Sequence, residues 1–218
     1  GESFAHPLLL AEGSNTIALR AEDAAGNAAT VVFGGTRDTL PPLLVFTSPE
    51  PGALVNASPV HVSGTVSEAV SSLSVNGVTA SVTDGVFGLD LPVSRGLVTL
   101  RASATDLAGN AGEASRTFTL DDVAPVVLIL TPVAGQILGQ ASVSVTGTVD
   151  DASATVTVNG VLATMQGTAF TAAGIAGGDG PLALTARALD PAGNAGTASV
   201  SVTIDTTPPA VGAPVISG

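Results

Sequence analysis

The sequence predicts an all-β protein built from tandem β-sandwich repeats of about 84 residues each, arranged as an extended rod. Two observations carry this prediction. One set of motifs returns at a nearly constant interval along the whole chain. The segments between the motifs alternate apolar and polar residues with the period of a β-strand, and no segment shows the period of a helix.

The repeat is defined by the motif Asp-x-Ala-Gly-Asn, whose aspartates are 83 and then 84 positions apart. Its three copies are Asp23–Asn27, Asp106–Asn110 and Asp190–Asn194. A second motif, an aspartate followed four residues later by a proline, returns at the same two intervals as Asp38/Pro42, Asp121/Pro125 and Asp205/Pro209. Because these motifs share one register, they mark an internal repeat.

The register divides the chain into four parts. Residues 39–122 and 123–206 are predicted to be complete repeats. Residues 1–38 match only the last part of a repeat, and residues 207–218 match only the start of another. The chain is therefore interpreted as a window of a longer array, or as a subunit whose ends are completed by something else.

Each complete repeat is predicted to contain seven short strands joined by turns. In the repeat 39–122 these are Leu43–Phe46, Val60–Val66, Leu73–Val75, Val78–Val82, Phe87–Leu91, Leu97–Thr105 and Ala114–Leu120. Asn76-Gly77 predicts a tight hairpin, because both turn positions need positive φ. Seven alternating strands with this turn spacing are typical of an immunoglobulin-like sandwich. Without Trp or Cys, its core is expected to consist of Val, Leu, Ala and one Phe.

Composition excludes several classes of function. A net charge of −12 argues against nucleic acid as a partner, since phosphates would be repelled. No apolar run approaches the roughly 20 residues of a membrane helix, so no membrane insertion is expected. The chain has no lysine, and it therefore cannot form Lys–Asn isopeptide cross-links.

Together, the Asp-x-Ala-Gly-Asn motif, the Asp-x-x-x-Pro linker and the Val-Asn-Gly hairpin resemble the bacterial Ig-like repeats of giant surface adhesins and biofilm-associated proteins. The resemblance extends over the whole chain. It implies a bacterial extracellular or cell-surface stalk, with calcium often stiffening the joints and ligand binding elsewhere. Residues 33–37 depart from the alternating last strand of the other repeats, which weakens the prediction of a regular final strand in the first repeat.

Acidic residues are predicted to converge where each complete repeat begins, because two loops of an Ig sandwich lie at the end where the first strand enters. Carboxylates gathered in this way repel one another unless a cation neutralises them. Ca²⁺ suits such a site, since it accepts about six to eight oxygen ligands with loose geometry. The predicted ligands are Asp38, Glu68, Asp106 and Asn110 for the second repeat, and Asp121, Asp122, Asp150, Asp151, Asp190 and Asn194 for the third.

An alternative interpretation of the same residues needs no metal. Aspartate in Asp-x-Ala-Gly-Asn can accept hydrogen bonds from the amides of its own loop, and the aspartate of the linker can simply be polar. Nothing in the pattern points to catalysis, so the chain is predicted not to be an enzyme. His6 and His61 lack metal-ligand spacing, and the pairs Asp121-Asp122 and Asp150-Asp151 lack the aromatic residues that normally line a sugar-binding cleft.

Three functions remain open from the sequence. The first is a structural stalk of an adhesin or biofilm protein, whose partners are neighbouring repeats of the same chain. The second is a polymeric cell-surface fibre with strand exchange between copies. Joining residues 207–218 to residues 1–38 would leave the middle strands of a repeat missing, so simple head-to-tail completion is insufficient. The third is an Ig-like spacer of a secreted polysaccharide-degrading enzyme.

Overall fold

The computed structural model describes residues 3–212, and these residues form strands and turns without a helix. Accordingly, this part of the chain has no helix long and apolar enough to span a membrane. In chain order the strands are β1 (Gly13–Glu22), β2 (Ala28–Arg37), β3 (Leu44–Ser48), β4 (Leu54–Val55), β5 (Val60–Val66), β6 (Val70–Val75), β7 (Val78–Thr79), β8 (Ser81–Thr83), β9 (Val86–Leu91), β10 (Gly96–Asp106), β11 (Ala111–Leu120), β12 (Val127–Thr131), β13 (Ile137–Leu138), β14 (Ser142–Val149), β15 (Thr155–Val158), β16 (Val161–Leu162), β17 (Thr164–Gln166), β18 (Ala169–Ala176), β19 (Gly180–Leu189) and β20 (Ala195–Ile204).

The chain divides into two compact units. The first consists of residues 1–53, 59–93 and 97–118, and the second of residues 54–58, 94–96 and those from 119 onwards.

The second repeat forms two sheets, with strand orders β3-β5-β9-β8 and β4-β11-β10-β6-β7. The predicted return strand Val78–Val82 is in fact two strands, because β7 pairs with β6 and β8 pairs with β9. Ala80 lies between them and is buried where the chain crosses from one sheet to the other. The short strand β4, which pairs in parallel with the end of β11, was also not predicted. A two-residue strand is too short to show a period.

The core of the second repeat comes from the inward positions of these strands. Along β5, for example, Val60, Val62, Gly64 and Val66 are buried, while the three residues that alternate with them are at least partly exposed. This alternation is that of a sheet with one face against a core. The repeat also buries Phe46, Phe87 and Phe118, so the expectation of one core phenylalanine was wrong for this repeat.

The third repeat has the same two sheets, β12-β14-β18-β17 and β13-β20-β19-β15-β16. It differs by an irregularity in β18, where Val143 pairs with Ile175 but Val145 pairs with Ala172. Two residues of β18 therefore oppose one of β14, which is a β-bulge, and Gly174 within it has φ of 78°. The corresponding pairing of β5 with β9 is continuous. The bulge accounts for the change in repeat interval from 83 to 84 residues.

The first, partial repeat is a two-stranded hairpin. β1 and β2 pair without interruption from Gly13↔Arg37 to Glu22↔Ala28. The final strand of this repeat is thus regular, and the weaker expectation for residues 33–37 was wrong, since a backbone ladder does not require alternating side chains. Residues 207–212 form no strand, and the remainder of the predicted further repeat, 213–218, lies outside the described residues.

Candidate functional site

The aspartate of the repeated motif sits at the centre of its own turn. Asp106 is only 2 % exposed, and its Oδ1 accepts hydrogen bonds from the backbone N–H groups of Ala108, Gly109 and Asn110 at 2.7–2.9 Å. The Asn110 Nδ2 donates to Asp106 Oδ2 at 2.8 Å. These bonds satisfy a carboxylate that has been removed from water, as the turn interpretation of the motif predicts.

Two further carboxylates approach Asp106 in the second repeat. Asp38 directly follows β2 and begins the linker that enters the sandwich, and Glu68 lies in the turn between β5 and β6. One carboxylate oxygen from each of Asp38, Glu68 and Asp106 lies within 4.8 Å of the other two. The structure thus brings together the three acidic residues that the sequence assigned to this repeat. All three lie in the first compact unit.

The charges of this cluster act on Glu68. Partial desolvation and then the carboxylates of Asp38 and Asp106 raise the pKa of Glu68 above its ordinary value. Burial also opposes the ionisation of Asp106, but the hydrogen bonds from Asn110, Gly109 and Ala108 outweigh it and lower the pKa of Asp106. The cluster therefore disfavours the ionised form of Glu68, and a nearby cation would offset this effect.

The donor set of this cluster fits a hard cation. Its ligand atoms are oxygens, which Ca²⁺ prefers, and it offers no nitrogen or sulfur for zinc. The Asn110 amide points its Nδ2 towards Asp38 O at 3.3 Å and towards Asp106 Oδ2. The fourth predicted ligand is therefore engaged through its nitrogen, and only its Oδ1 remains for a metal.

The third repeat places the corresponding residues in a different arrangement. Asp121, Asp150, Asp151 and Asp190 line one cavity of about 230 Å³ within the second compact unit. No three carboxylates among the described residues of this repeat converge as tightly as Asp38, Glu68 and Asp106.

Two of these aspartates are held by local hydrogen bonds. The Asp150 Oδ1 accepts from Val126 N at 2.7 Å, and in the second repeat the hydroxyl of Ser67 makes the same bond to Leu43 N at 2.9 Å. Asp150 therefore occupies a structural position of the repeat. The Asp151 Oδ1 accepts from the N–H and the hydroxyl of Ser153. Aspartate is also one methylene shorter than the glutamate at the equivalent position, so Asp151 reaches less far than Glu68.

The remaining predicted residues of the third repeat follow the second. Asp190 is 6 % exposed, and burial opposes its ionisation. Hydrogen bonds from Asn194 and from the backbone N–H groups of Gly193 and Ala192 outweigh burial and lower the pKa of Asp190. The Asn194 Nδ2 donates to Asp190 Oδ2 and to the linker carbonyl Asp121 O at 2.7 Å. Asp122 does not join the cavity; its Oδ1 pairs instead with Arg95 Nε at 2.6 Å.

One structural feature of the linker was not predicted. A Cβ atom added to Gly112 would overlap the carbonyl oxygen of Pro42, and one added to Gly196 would overlap that of Pro125. The linker proline thus packs directly on the first residues of the last strand. Sequence comparison between repeats could have revealed this, because Asn-Ala-Gly follows the turn in both complete repeats, whereas the partial repeat has Asn27-Ala28-Ala29.

The two complete repeats are therefore tandem immunoglobulin-like β-sandwich modules, in which the repeated motif ties each sandwich to its incoming linker. The family model for glucodextranase domain B matches residues 42–122 and 125–206, which make up more than half of the chain. The chain belongs to that family. The match gives the Ig-like module, but it does not identify the particular adhesin-repeat family that the motifs resemble.

Several solved structures match most of this chain at low sequence identity. The fibronectin(III)-like modules of Clostridium thermocellum CbhA share 17 % identity, with 74 % of this chain and 94 % of that chain covered and a TM-score of 0.47. A tetra-tandem repeat in the extending region of a large adhesion protein shares 25 % identity, with 90 % and 58 % covered and a TM-score of 0.33. The Bacteroides ovatus protein SGBP-B of a mixed-linkage glucan utilization locus shares 17 % identity, with 90 % and 55 % covered and a TM-score of 0.27.

The chain thus spans little more than half the length of the last two structures. No curated protein sequence matches it significantly.

Proposed function

We propose that this chain is a non-catalytic spacer segment of a bacterial extracellular or cell-surface protein, such as an adhesin stalk. The proposal rests on what the residues of the Asp-x-Ala-Gly-Asn motif contact. In both complete repeats the buried aspartate and the asparagine of the motif fix a turn, and the asparagine amide binds the backbone of the incoming linker. Residues that hold one module to the next segment of chain are what a tandem spacer requires.

A second candidate follows from the family. Because the family is named for a domain of glucodextranase, the same modules could serve as the spacer of a secreted polysaccharide-degrading enzyme. Affinity electrophoresis through gels containing soluble glucans distinguishes a passive spacer from a module with a glycan-binding surface. An unretarded chain agrees with a spacer in either kind of protein. Retardation that depends on the glucan would overturn the passive role.

A third candidate, the surface fibre, is favoured by the hairpin of the partial repeat. Val31 and Phe33 are 52 % and 51 % exposed on β2, and Ile17 and Leu19 pair with Phe33 and Val31 across the hairpin. Copies that shared strands would cover such a face. Sedimentation over a range of protein concentrations tests this: a spacer remains monomeric, whereas a fibre subunit forms larger species as concentration rises.

We propose further that the cluster of Asp38, Glu68 and Asp106 binds Ca²⁺, and that the third repeat binds it more weakly. Three carboxylate oxygens within 4.8 Å of one another and the raised pKa of Glu68 support this. Extracellular calcium modules typically bind at about 10⁻⁴–10⁻³ M. A spacer of this kind would have its calcium bound outside the cell.

Calorimetric titration of the chelated protein tests the metal proposal. The wild-type chain should bind calcium, and Glu68→Gln should weaken binding at least about ten-fold, since it removes a charged ligand. The matched control is Glu113→Gln, which removes an equal charge from an exposed position on β11. Equal binding by Glu68→Gln and Glu113→Gln would contradict a site at this cluster. The spacer proposal would be unaffected by that outcome.

A further inference from the structure

The residue just before the strand β1, β10 or β19 occupies one position of the repeat but changes its chemistry. It is Glu12 in the first repeat, Arg95 in the second and Asp179 in the third. In all three repeats the next residue is a glycine with positive φ, and this glycine is the first residue of the strand. The turn therefore presents this side chain in the same way in all three repeats.

The second residue of each linker also changes along the chain. It is Thr39, Asp122 and Thr206, each directly after the linker aspartate. These positions follow the repeat lattice, as the turn residues do. The two sets of positions can therefore be compared pair by pair.

In every repeat the turn residue contacts the second linker residue. The Glu12 carboxylate accepts from Thr39 N at 2.7 Å and from Thr39 Oγ1 at 2.9 Å. Arg95 Nε donates to Asp122 Oδ1 at 2.6 Å. The Asp179 Oδ1 accepts from Thr206 N at 2.8 Å and from Thr206 Oγ1 at 2.7 Å. Each contact lies within one compact unit.

The two partners change together. Where the turn carries a carboxylate, the linker carries a threonine that donates through its hydroxyl and its N–H. Where the turn carries arginine, the linker carries an acceptor carboxylate. An uncoordinated exchange would place Asp179 opposite a carboxylate, or Arg95 opposite a threonine without a charge to pair with. The complementarity in three repeats indicates that the contact, and not either residue alone, is what the repeat retains.

The linker aspartate, which directly precedes the second linker residue, is bound by the repeat that follows the linker. The backbone carbonyls of Asp38 and Asp121 accept hydrogen bonds from the amides of Asn110 and Asn194, which belong to the repeat that follows the linker. Adjacent linker residues are thus bound by the turn of the preceding repeat and by the motif of the following one. Neither bond needs a metal ion.

We propose that the pairs Glu12–Thr39, Arg95–Asp122 and Asp179–Thr206 form an interchangeable linker latch, which fixes the backbone of each linker at its second residue. The latch does not depend on the proposed function or on calcium. The three repeats keep the match between the two residues while the residues themselves change, so we expect one matched pair to be able to replace another.

The test exchanges one latch for another in the full chain, with a chelator present. Arg95→Asp places a carboxylate opposite Asp122, and amide exchange at Val123 and Ala124 should become about two- to five-fold faster, as expected for loss of an exposed ion pair. Adding Asp122→Thr recreates the pair found in the third repeat, and exchange should return to the wild-type rate. Arg101→Asp on β10 is the control with the same charge change, and it should leave linker exchange unchanged.

The reciprocal exchange uses the third repeat. Asp179→Arg should speed amide exchange at Thr207, whose N–H donates to Asp205 Oδ1, and Asp179→Arg with Thr206→Asp should restore the wild-type rate there. The amide of residue 206 is not a readout, because it donates to Asp179 and an arginine offers no acceptor. The proposal is overturned if either double variant exchanges as fast as its single variant, or if Arg101→Asp loosens the linker as much as Arg95→Asp does. Far-ultraviolet circular dichroism of each variant shows whether the fold is intact, and the reciprocal pair decides the matter should Arg95→Asp unfold.

Discussion

The second and third repeats have the same strand order, yet they fill the core and the entrance of the sandwich with different residues. In the second repeat Phe46 meets Phe87 edge to face, with ring centroids 5.9 Å apart and an interplanar angle of 77°. Phe46 is replaced by Ile129 in the third repeat, while Phe87 is retained as Phe170. The fold therefore tolerates a change of side-chain shape as long as the inward positions stay apolar.

At the end of the sandwich where the linker enters, the two repeats also keep one contact while the polar residue that makes it changes. Ser67 and Asp150 make the same bond to the first strand with different chemistry. Glu68 and Asp151 are equivalent in sequence, but only Glu68 joins a tight carboxylate cluster. The third repeat has more acidic residues and the second has the closer arrangement, so the number of carboxylates is a poor guide to a cation site.

The largest expected effect separates the two cores. Phe118 is fully buried in the second repeat, and its equivalent in the third is Val202. Phe118→Ala should destabilise its repeat by about 3–5 kcal/mol, because it leaves a large cavity. Val202→Ala should cost about 2 kcal/mol, since fewer methyl groups are removed. Denaturant unfolding with residue-resolved amide exchange measures both, and equal losses would contradict this difference between the cores.

A smaller effect is expected where the repeats agree. Gly112→Ala and Gly196→Ala should each destabilise their repeat by about 1–3 kcal/mol, because the new methyl group overlaps the carbonyl of the linker proline. Gly34→Ala is the matched control. No atom lies within 4 Å of the Cβ position at Gly34, so this change should shift stability by less than about 0.5 kcal/mol. Thermal unfolding of the three variants provides the comparison.

The next prediction concerns pH and the second repeat alone. The folded pKa of Glu68 is raised, so its contribution favours the folded state at low pH and is lost as pH rises through the folded pKa. The folded pKa of Asp106 is lowered, so its contribution is present at neutral pH and is lost as pH falls through that pKa. Without calcium, Glu68→Gln should therefore raise stability at neutral pH, and the gain should disappear as the pH falls and Glu68 becomes protonated.

Asp106→Asn should act in the opposite direction, lowering stability at neutral pH and having less effect in acid. Unfolding midpoints measured at several pH values in a chelating buffer check both signs. Calcium should reverse the first result, because the wild-type chain then gains stability from binding that Glu68→Gln cannot match. A gain for Glu68→Gln that persisted unchanged at low pH would contradict the electrostatic explanation.

Much of the fold could be predicted from the sequence, because alternation and turn residues report directly on local structure. The Asn76-Gly77 hairpin is an example, with φ of 48° and 80° at the two residues. What could not be predicted depends on contacts between distant segments. The crossing at Ala80 and the bulge at Gly174 leave no periodic trace. The convergence of Asp38, Glu68 and Asp106 was predictable from the order of the loops, but the capture of Asp150 by Val126 N required coordinates.

The smallest expected effect tests whether the aromatic arrangement of the second repeat acts as a set. The Arg116 guanidinium carbon lies 5.8 Å from the centroid of the Phe46 ring, and Arg116 Nη1 donates to Pro49 O at 2.9 Å. The third repeat has Val200 and Ile129 at these two positions, so the arginine and the ring are exchanged together for aliphatic side chains.

Arg116→Val should cost about 0.5–1 kcal/mol in the wild-type background, where it removes the cation–π contact. In the background of Phe46→Ile the same change should cost less, because the ring that the cation faces is already gone. A double-mutant cycle by denaturant unfolding gives the coupling free energy directly. A coupling free energy indistinguishable from zero would mean that the two positions vary independently, and that their joint replacement in the third repeat has no energetic basis in this contact.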